Sequence, residues 1–227
     1  MNAEYYKQEL EKNGIVTIYG SNPPEYTLKK GVVFEEGLSN DEFEQIERKY
    51  HFKFPPDLRE FLSVGLPVSP GFVNWRNGPE EDTLWRLNWP FSSLCFDVKY
   101  SNFWLPEWGN MPRSYKSACI TLRKALDKVP KLIPIYLHRY IFETPYESGN
   151  PVVSMHGLDT IYYGKNLWEY FEKEFFEKPS RINFDEIKKI DFWPYIMENW
   201  FEIITENQKR MKNNGKLKNY MKDNKRS

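Results

Sequence analysis

The chain is short of cysteine, histidine and long apolar runs, and each shortage removes a class of protein. Two cysteines, Cys95 and Cys119, are too few for a disulfide framework, and 227 residues can bury a core without one. This usage suits a reducing cytoplasm. No stretch approaches the length of uncharged apolar residues that spans a bilayer, and the opening MNAEYYKQEL has neither a basic n-region nor an apolar h-region, so no membrane or secretory segment is expected. The histidines are His51, His138 and His156, with no i, i+4 pair and no CxxC, so no metal site is expected. The glycine-rich phosphate loop, the dinucleotide fingerprint GxGxxG, the nucleophile elbow GxSxG and the zinc helix HExxH are likewise missing, and no cofactor is expected. Cys119 lies in ACITLRK, where nothing nearby would activate a thiol, so it is expected to be an inert, small hydrophobe.

Aromatic residues are plentiful instead: 16 Phe, 15 Tyr and 8 Trp, enough large side chains for a well-packed body. The zero net charge hides an asymmetry. Residues 208–227 hold eight Lys or Arg and one Asp, leaving 24 basic against 31 acidic residues in 1–207, so the body is about −7 and the tail about +7. Such a tail is expected to be a solvated, flexible end; nucleic acid is expected as a partner only through Lys209 to Arg226, and an acidic body favours a basic protein partner.

Hydrophobic periodicity divides the chain. Residues 2–12 suit a short helix, and VTIYG a short strand. In SNDEFEQIERKYHF, Ser39 and Glu42 form a capping box and Phe43, Ile46 and Tyr50 recur at helical spacing. FPPDLREFLSVG follows as a second helix, opened by Pro55 and Pro56 and ended by Gly65 in a left-handed conformation. Residues 72–115 are loop-rich and carry eleven aromatics; within them RNGPEEDT is expected to be an acidic turn and LCFDV a strand. TLRKALDKVPKL suits a short helix. LIPIYLHRYIF, VVSM and TIYY then suggest three successive antiparallel strands. Asn166 and Glu169 cap the helix NLWEYFEKEFFEK, and residues 183–212 form a last helical region with Trp193, Ile196, Met197, Trp200, Phe201 and Ile204 on its apolar stripe.

One constellation could carry chemistry: His138, Arg139, His156 and Asp159, with Glu143 or Glu147 nearby. If LIPIYLHRYIF is one strand, alternation puts Arg139 with the aliphatic face and His138 with Tyr136 and Tyr140. An inward guanidinium needs a carboxylate, and Asp159 on the next hairpin is the expected partner in a structural ion pair. The alternative is a hydrolase site built from His138, Arg139 and Asp159, which requires an open cleft. The tryptophan-rich segment is electrically balanced, with five acidic and five basic residues over 72–116, which argues against a nucleic-acid stacking platform. Core packing or a protein-binding surface remain. The candidate partner-binding set is Trp75, Glu80, Glu81, Asp82, Trp85, Trp104, Glu107 and Trp108.

The stretches LSNDEFEQIERKYHFKFPPDLREFLSVGLP, GFVNWRN, FDVKYSNFWLPEWG, LIPIYLHRYI and GNPVVSMHGLDTIYYGKNLWEYF, in this order, resemble the bacterial branch of the SUKH superfamily, which also includes fungal cell-wall regulators of the Smi and Knr type. The resemblance implies an α+β fold, with a twisted, mainly antiparallel sheet backed by helices. It places an N-terminal extension at 1–33, the domain at 34–178, a C-terminal helical extension at 179–207 and the basic tail at 208–227. It further implies a non-enzymatic immunity protein or antitoxin that neutralises a polymorphic toxin, often a nuclease. It transfers no catalytic residue to His138, Arg139 or Asp159. A regulatory scaffold with a basic arm and a small hydrolase are the competing readings.

Overall fold

A computed structural model describes residues 2–19, 25–178 and 183–213. In chain order the elements are α1 (Ala3–Asn13), β1 (Ile15–Tyr19), β2 (Tyr26–Lys30), β3 (Phe34–Glu35), α2 (Asn40–Tyr50), α3 (Pro56–Val64), β4 (Leu66–Pro67), α4 (Glu80–Tyr100), α5 (Tyr115–Leu126), β5 (Leu132–Tyr136), β6 (Arg139–Phe142), β7 (Val152–Ser154), β8 (Ile161–Gly164), α6 (Leu167–Phe175) and α7 (Trp193–Asn213). The fold is α+β: β1 pairs with β2, β3 with β4, and β5-β6-β7-β8 form a four-stranded sheet, every pairing antiparallel. The described residues divide into two compact units, one of residues 2–19, 25–87, 131–155, 161–178 and 183–189, the other of 88–130, 156–160 and 190–213.

The first unit is built around the capped helices. Ser39 Oγ accepts from the Glu42 N–H at 3.3 Å and the Ser39 N–H donates to Glu42 Oε2 at 2.8 Å, the reciprocal capping expected of α2. Asn166 Oδ1 accepts from the Glu169 N–H at 2.9 Å and starts α6. Phe43, Phe54, Phe61, Phe171 and Phe175 fill the core between these helices and the sheet. Residues 2–19 and 25–33 are part of this unit and not an appendage to it, because Tyr6, Leu10, Val16 and Val32 are buried in the same core and α1 packs on α3 and α6. The Tyr6 ring stacks on Trp168, with centroids 4.9 Å apart. Gly65 ends α3 in extended backbone, φ −171°, not in the expected left-handed one. An added Cβ would meet the flexible end of the Lys7 side chain at 2.8 Å, which can move aside.

LIPIYLHRYIF is two strands, not one. β5 and β6 are joined by Leu137 and His138, with Tyr136 opposite Arg139 and Leu137 in the left-handed region at φ 48°. Turns of this kind ordinarily advertise themselves by Gly or Asn; Leu137 takes the conformation while its N–H donates to Gly71 O at 2.8 Å. Every residue of β5, β6 and β7 is buried, which explains the unbroken apolar run.

LCFDV is helical, forming part of α4, with Leu94, Cys95 and Val98 buried at helical spacing. The same helix contains Pro90, which has no N–H to offer the carbonyl of Arg86 four residues earlier. Tyr140 supplies the missing donor: its hydroxyl donates to Arg86 O at 2.9 Å. Burial pushes the Tyr140 pKa far up, so this hydroxyl keeps its proton.

In the second unit, α7 docks through Trp193, Ile196, Ile203 and Asn207, while Trp200 and Phe201 of the expected stripe face outward. The Trp193 indole donates to Pro130 O at 2.8 Å, and the Asn207 amide donates to Trp104 O at 2.7 Å. These polar anchors select the docked face over the merely apolar one. Residues 183–186 end in a short 3-10 turn, so the last helix starts ten residues later than the sequence suggests.

Candidate binding surface

The acidic segment after Asn77 is a helix start. Asn74 O accepts from the Gly78 N–H at 2.9 Å to close a turn, and the three carboxylates of Glu80, Glu81 and Asp82 occupy the first turn of α4, where the helix dipole favours negative charge. Helical geometry then sorts them. Thr83 is buried, and Arg86 lies inward, its guanidinium donating to Asp82 Oδ2 at 2.9 Å and to Gly71 O at 3.0 Å. Asp82 is therefore paired with Arg86, while its side chain remains 43% exposed. Glu80 and Glu81 face solvent, and the i+4 positions that follow them are Leu84, 49% exposed, and Trp85, 58% exposed. Lys49 at the end of α2 lies 2.9 Å from Glu80 and leaves Glu81 as the outer carboxylate. Two apolar side chains beside two acids thus share one face of the first turns of α4.

The other candidate residues separate. Trp75 is buried, in edge-to-face contact with Phe54 at 5.1 Å. Trp104 is buried in the second unit, where its indole donates to Gly109 O at 2.8 Å, and half-buried Trp108 packs edge-on against it at 5.3 Å. Glu107 is exposed. Burial takes Trp75 and Trp104 out of reach of a partner, because both indoles turn their apolar area inward.

Arg139 is answered by Glu174, not by Asp159. Arg139 Nε lies 2.9 Å from Glu174 Oε2, and the guanidinium also donates to Ser154 Oγ at 2.9 Å and contacts His138 Nε2. Its carbon sits 3.7 Å from the centroid of the Tyr163 ring, on which Lys173 also rests at 3.9 Å. Burial alone would weaken this cation; the Glu174 carboxylate and neighbouring tyrosines outweigh it and raise its pKa. Asp159 is exposed, in the turn after β7, where its N–H donates to His156 O. The hairpin break at Leu137 is what overturned the expected geometry: His138 and Arg139 are neighbours in contact, not residues on opposite faces of one strand. Glu174 was missed although it falls on the apolar stripe Leu167, Tyr170, Phe171, Phe175 at helical spacing, and an acid on such a stripe signals a buried cation.

An open concavity of about 540 Å³ at the end of α2 is lined by Glu44, Glu47, Arg48, His51, Phe52, Lys53 and Glu143. Glu47 and Glu143 are engaged structurally. Glu47 accepts from the Phe54 N–H at 3.1 Å and from Lys53 Nζ at 2.6 Å, and Glu143 accepts from the Lys53 N–H at 2.7 Å, so both hold the chain between α2 and α3. Glu147 pairs with Lys188 at 3.0 Å. His156 lies edge-on to Trp89. Among the described residues no three His, Cys, Asp or Glu side chains gather as a metal site, and no helix is long and apolar enough to cross a membrane. Lys209 and Arg210 lie on α7; residues 214–227, most of the basic tail, fall outside the described residues.

Comparison of the chain with protein-family models, curated proteins and solved structures gives no match.

Proposed function

We propose that this protein is a non-enzymatic binding module of the immunity kind, acting in the cytoplasm, that captures a basic protein such as a toxin nuclease domain. The observation that carries the reading is the face of α4 on which Leu84 and Trp85 stand exposed beside Glu80 and Glu81. A large indole supplies a contact that loses water on binding, and carboxylates around it select a basic partner and speed its approach. The acidic charge of residues 1–207 acts in the same direction at longer range. The α+β fold with antiparallel strands agrees with what the SUKH resemblance implies. The engagement of Arg139 by Glu174 and Ser154 also favours a structural over a catalytic role for the HR pair. Nuclease toxins bind anionic substrates through cationic grooves, so an acidic face covering such a groove would block the enzyme without chemistry of its own.

The experiment sequences the adjacent open reading frame, where a toxin domain is the expected product, and co-expresses that domain with this protein. Cells carrying both chains are expected to grow, and cells carrying the toxin with Trp85→Ala plus Glu81→Lys are expected to die. Death of cells carrying the unaltered pair would sink the proposal.

A further inference from the structure

The only two cysteines of the chain, 24 residues apart in sequence, stand opposite each other in the second unit. Contacts between α4 and α5 define the register. Arg123 lies over the Phe91 ring, its guanidinium carbon 3.5 Å from the centroid, and Lys99 Nζ lies 5.4 Å from the centroid of Tyr115. Four residues forward from Phe91 and four back from Arg123 reach Cys95 and Cys119; four more in each direction reach Lys99 and Tyr115. Cys95 and Cys119 are therefore facing positions of an antiparallel helix pair, and the two thiols are within hydrogen-bonding reach of each other and of the Tyr115 hydroxyl. The sequence beside Cys119 suggests an inert thiol because its partner lies on another helix; the surroundings of the two sulfurs differ. Cys95 is buried, whereas Cys119 is only half-buried.

We propose that Cys95 and Cys119 form a dithiol site that a hydroperoxide converts into an intramolecular disulfide clamping α4 to α5. The more accessible sulfur, Cys119 Sγ, attacks the terminal peroxide oxygen; the O–O bond breaks, an alcohol or water leaves, and Cys119 becomes a sulfenic acid. The Cys95 sulfur then attacks Cys119 Sγ, the S–O bond breaks and water departs. Two thiols and one hydroperoxide thus give one disulfide, one alcohol and one water, with the two electrons lost by sulfur reducing the peroxide. Burial pushes the Cys95 thiol far up in pKa, and Arg123, one helical turn beyond Cys119, opposes this only in part, so the accessible Cys119 is the sulfur that meets the peroxide first. The buried partner is protected from direct oxidation and meets only the sulfenic acid formed beside it, a division of labour that restricts the product to the internal bond. A thiol reductant returns the pair to its starting state.

The test treats the full reduced chain with hydrogen peroxide, quenches it by alkylation and digests it with trypsin without reductant. The expected product is a cross-link between the peptides Leu87–Lys99 and Ser117–Arg123, with both thiols lost at one rate, an intact mass lower by two hydrogens, and full reversal by reductant. Cys95→Ser should instead accumulate sulfenic or sulfinic acid at Cys119, and Cys119→Ala should leave Cys95 unoxidised under the same exposure. Circular dichroism of each sample verifies that the helices persist. Independent loss of the two thiols without the cross-linked peptide, disulfides only between chains, or two free thiols after peroxide exposure would each overturn the proposal.

Discussion

Arg139 Nε lies 2.9 Å from Glu174 Oε2, and this pair ties β6 to α6 within the first unit. Both side chains are largely buried, so removing either strands a charge in a poorly solvated place. Arg139→Ala or Glu174→Ala is expected to cost about 3–5 kcal/mol of unfolding free energy, the range for one partner of a buried pair. Asp159→Ala, at an exposed turn, should stay within about 0.5 kcal/mol. Urea denaturation of the three variants checks this; a larger loss for Asp159→Ala than for Glu174→Ala would reverse the assignment of partners.

Gly71 is required by both backbone and space. It adopts φ 97°, and a Cβ there would lie 2.4 Å from a ring carbon of Tyr136, which is itself fully buried. Its carbonyl also accepts from the Leu137 N–H at 2.8 Å and from Arg86 at 3.0 Å. Gly71→Ala is expected to destabilise the protein by about 2–4 kcal/mol, a left-handed conformation and an overpacked ring together. Thermal unfolding measures it, and an unchanged midpoint would contradict the stated contact.

Glu42 gives the cap of α2 a pH dependence. A hydrogen bond from the Arg76 side chain, followed by that from the Ser39 N–H, lowers its pKa from 4.5 to about 2. A carboxylate depressed on folding stabilises the folded state above its unfolded pKa, and that contribution disappears as pH falls from about 4.5 through about 2. Glu42→Gln should therefore cost about 1 kcal/mol at pH 6 and progressively less below pH 4.5. Denaturation of both chains across that window tests it; a difference that grows toward low pH would have the wrong sign.

How far the sequence alone reveals the structure differs from element to element, for physical reasons. The caps at Ser39–Glu42 and Asn166–Glu169 were legible because both partners are local, three residues apart. The hairpin at Leu137 was not: a left-handed leucine is imposed by the Gly71 carbonyl, far away in sequence. LCFDV taken alone reads as a strand, yet it lies within a helix that passes Pro90, where Tyr140 satisfies the carbonyl left open. The turn expected at RNGPEEDT hid part of the candidate surface in the same way, since its acidic residues open a helix. Read as a turn, PEED and Trp85 give acidic charge near an indole; read as a helix, they add Leu84 and pair Asp82 with Arg86. Tryptophans in a loop-rich segment could not be assigned to core or surface from composition, and Trp75, Trp104 and Trp85 divide between the two.

The central claim is that the α4 face binds a basic partner. Calorimetric titration of the chain with the purified toxin domain from the adjacent reading frame, at about 0.15 M salt, tests it most directly. Unaltered protein should bind with a dissociation constant that rises as salt is added. Trp85→Ala and the double change Glu80→Lys, Glu81→Lys should each weaken binding by about tenfold or more, about 1.4 kcal/mol, without altering the fold. Equal affinity for all three chains, or no binding by the unaltered one, would contradict the account.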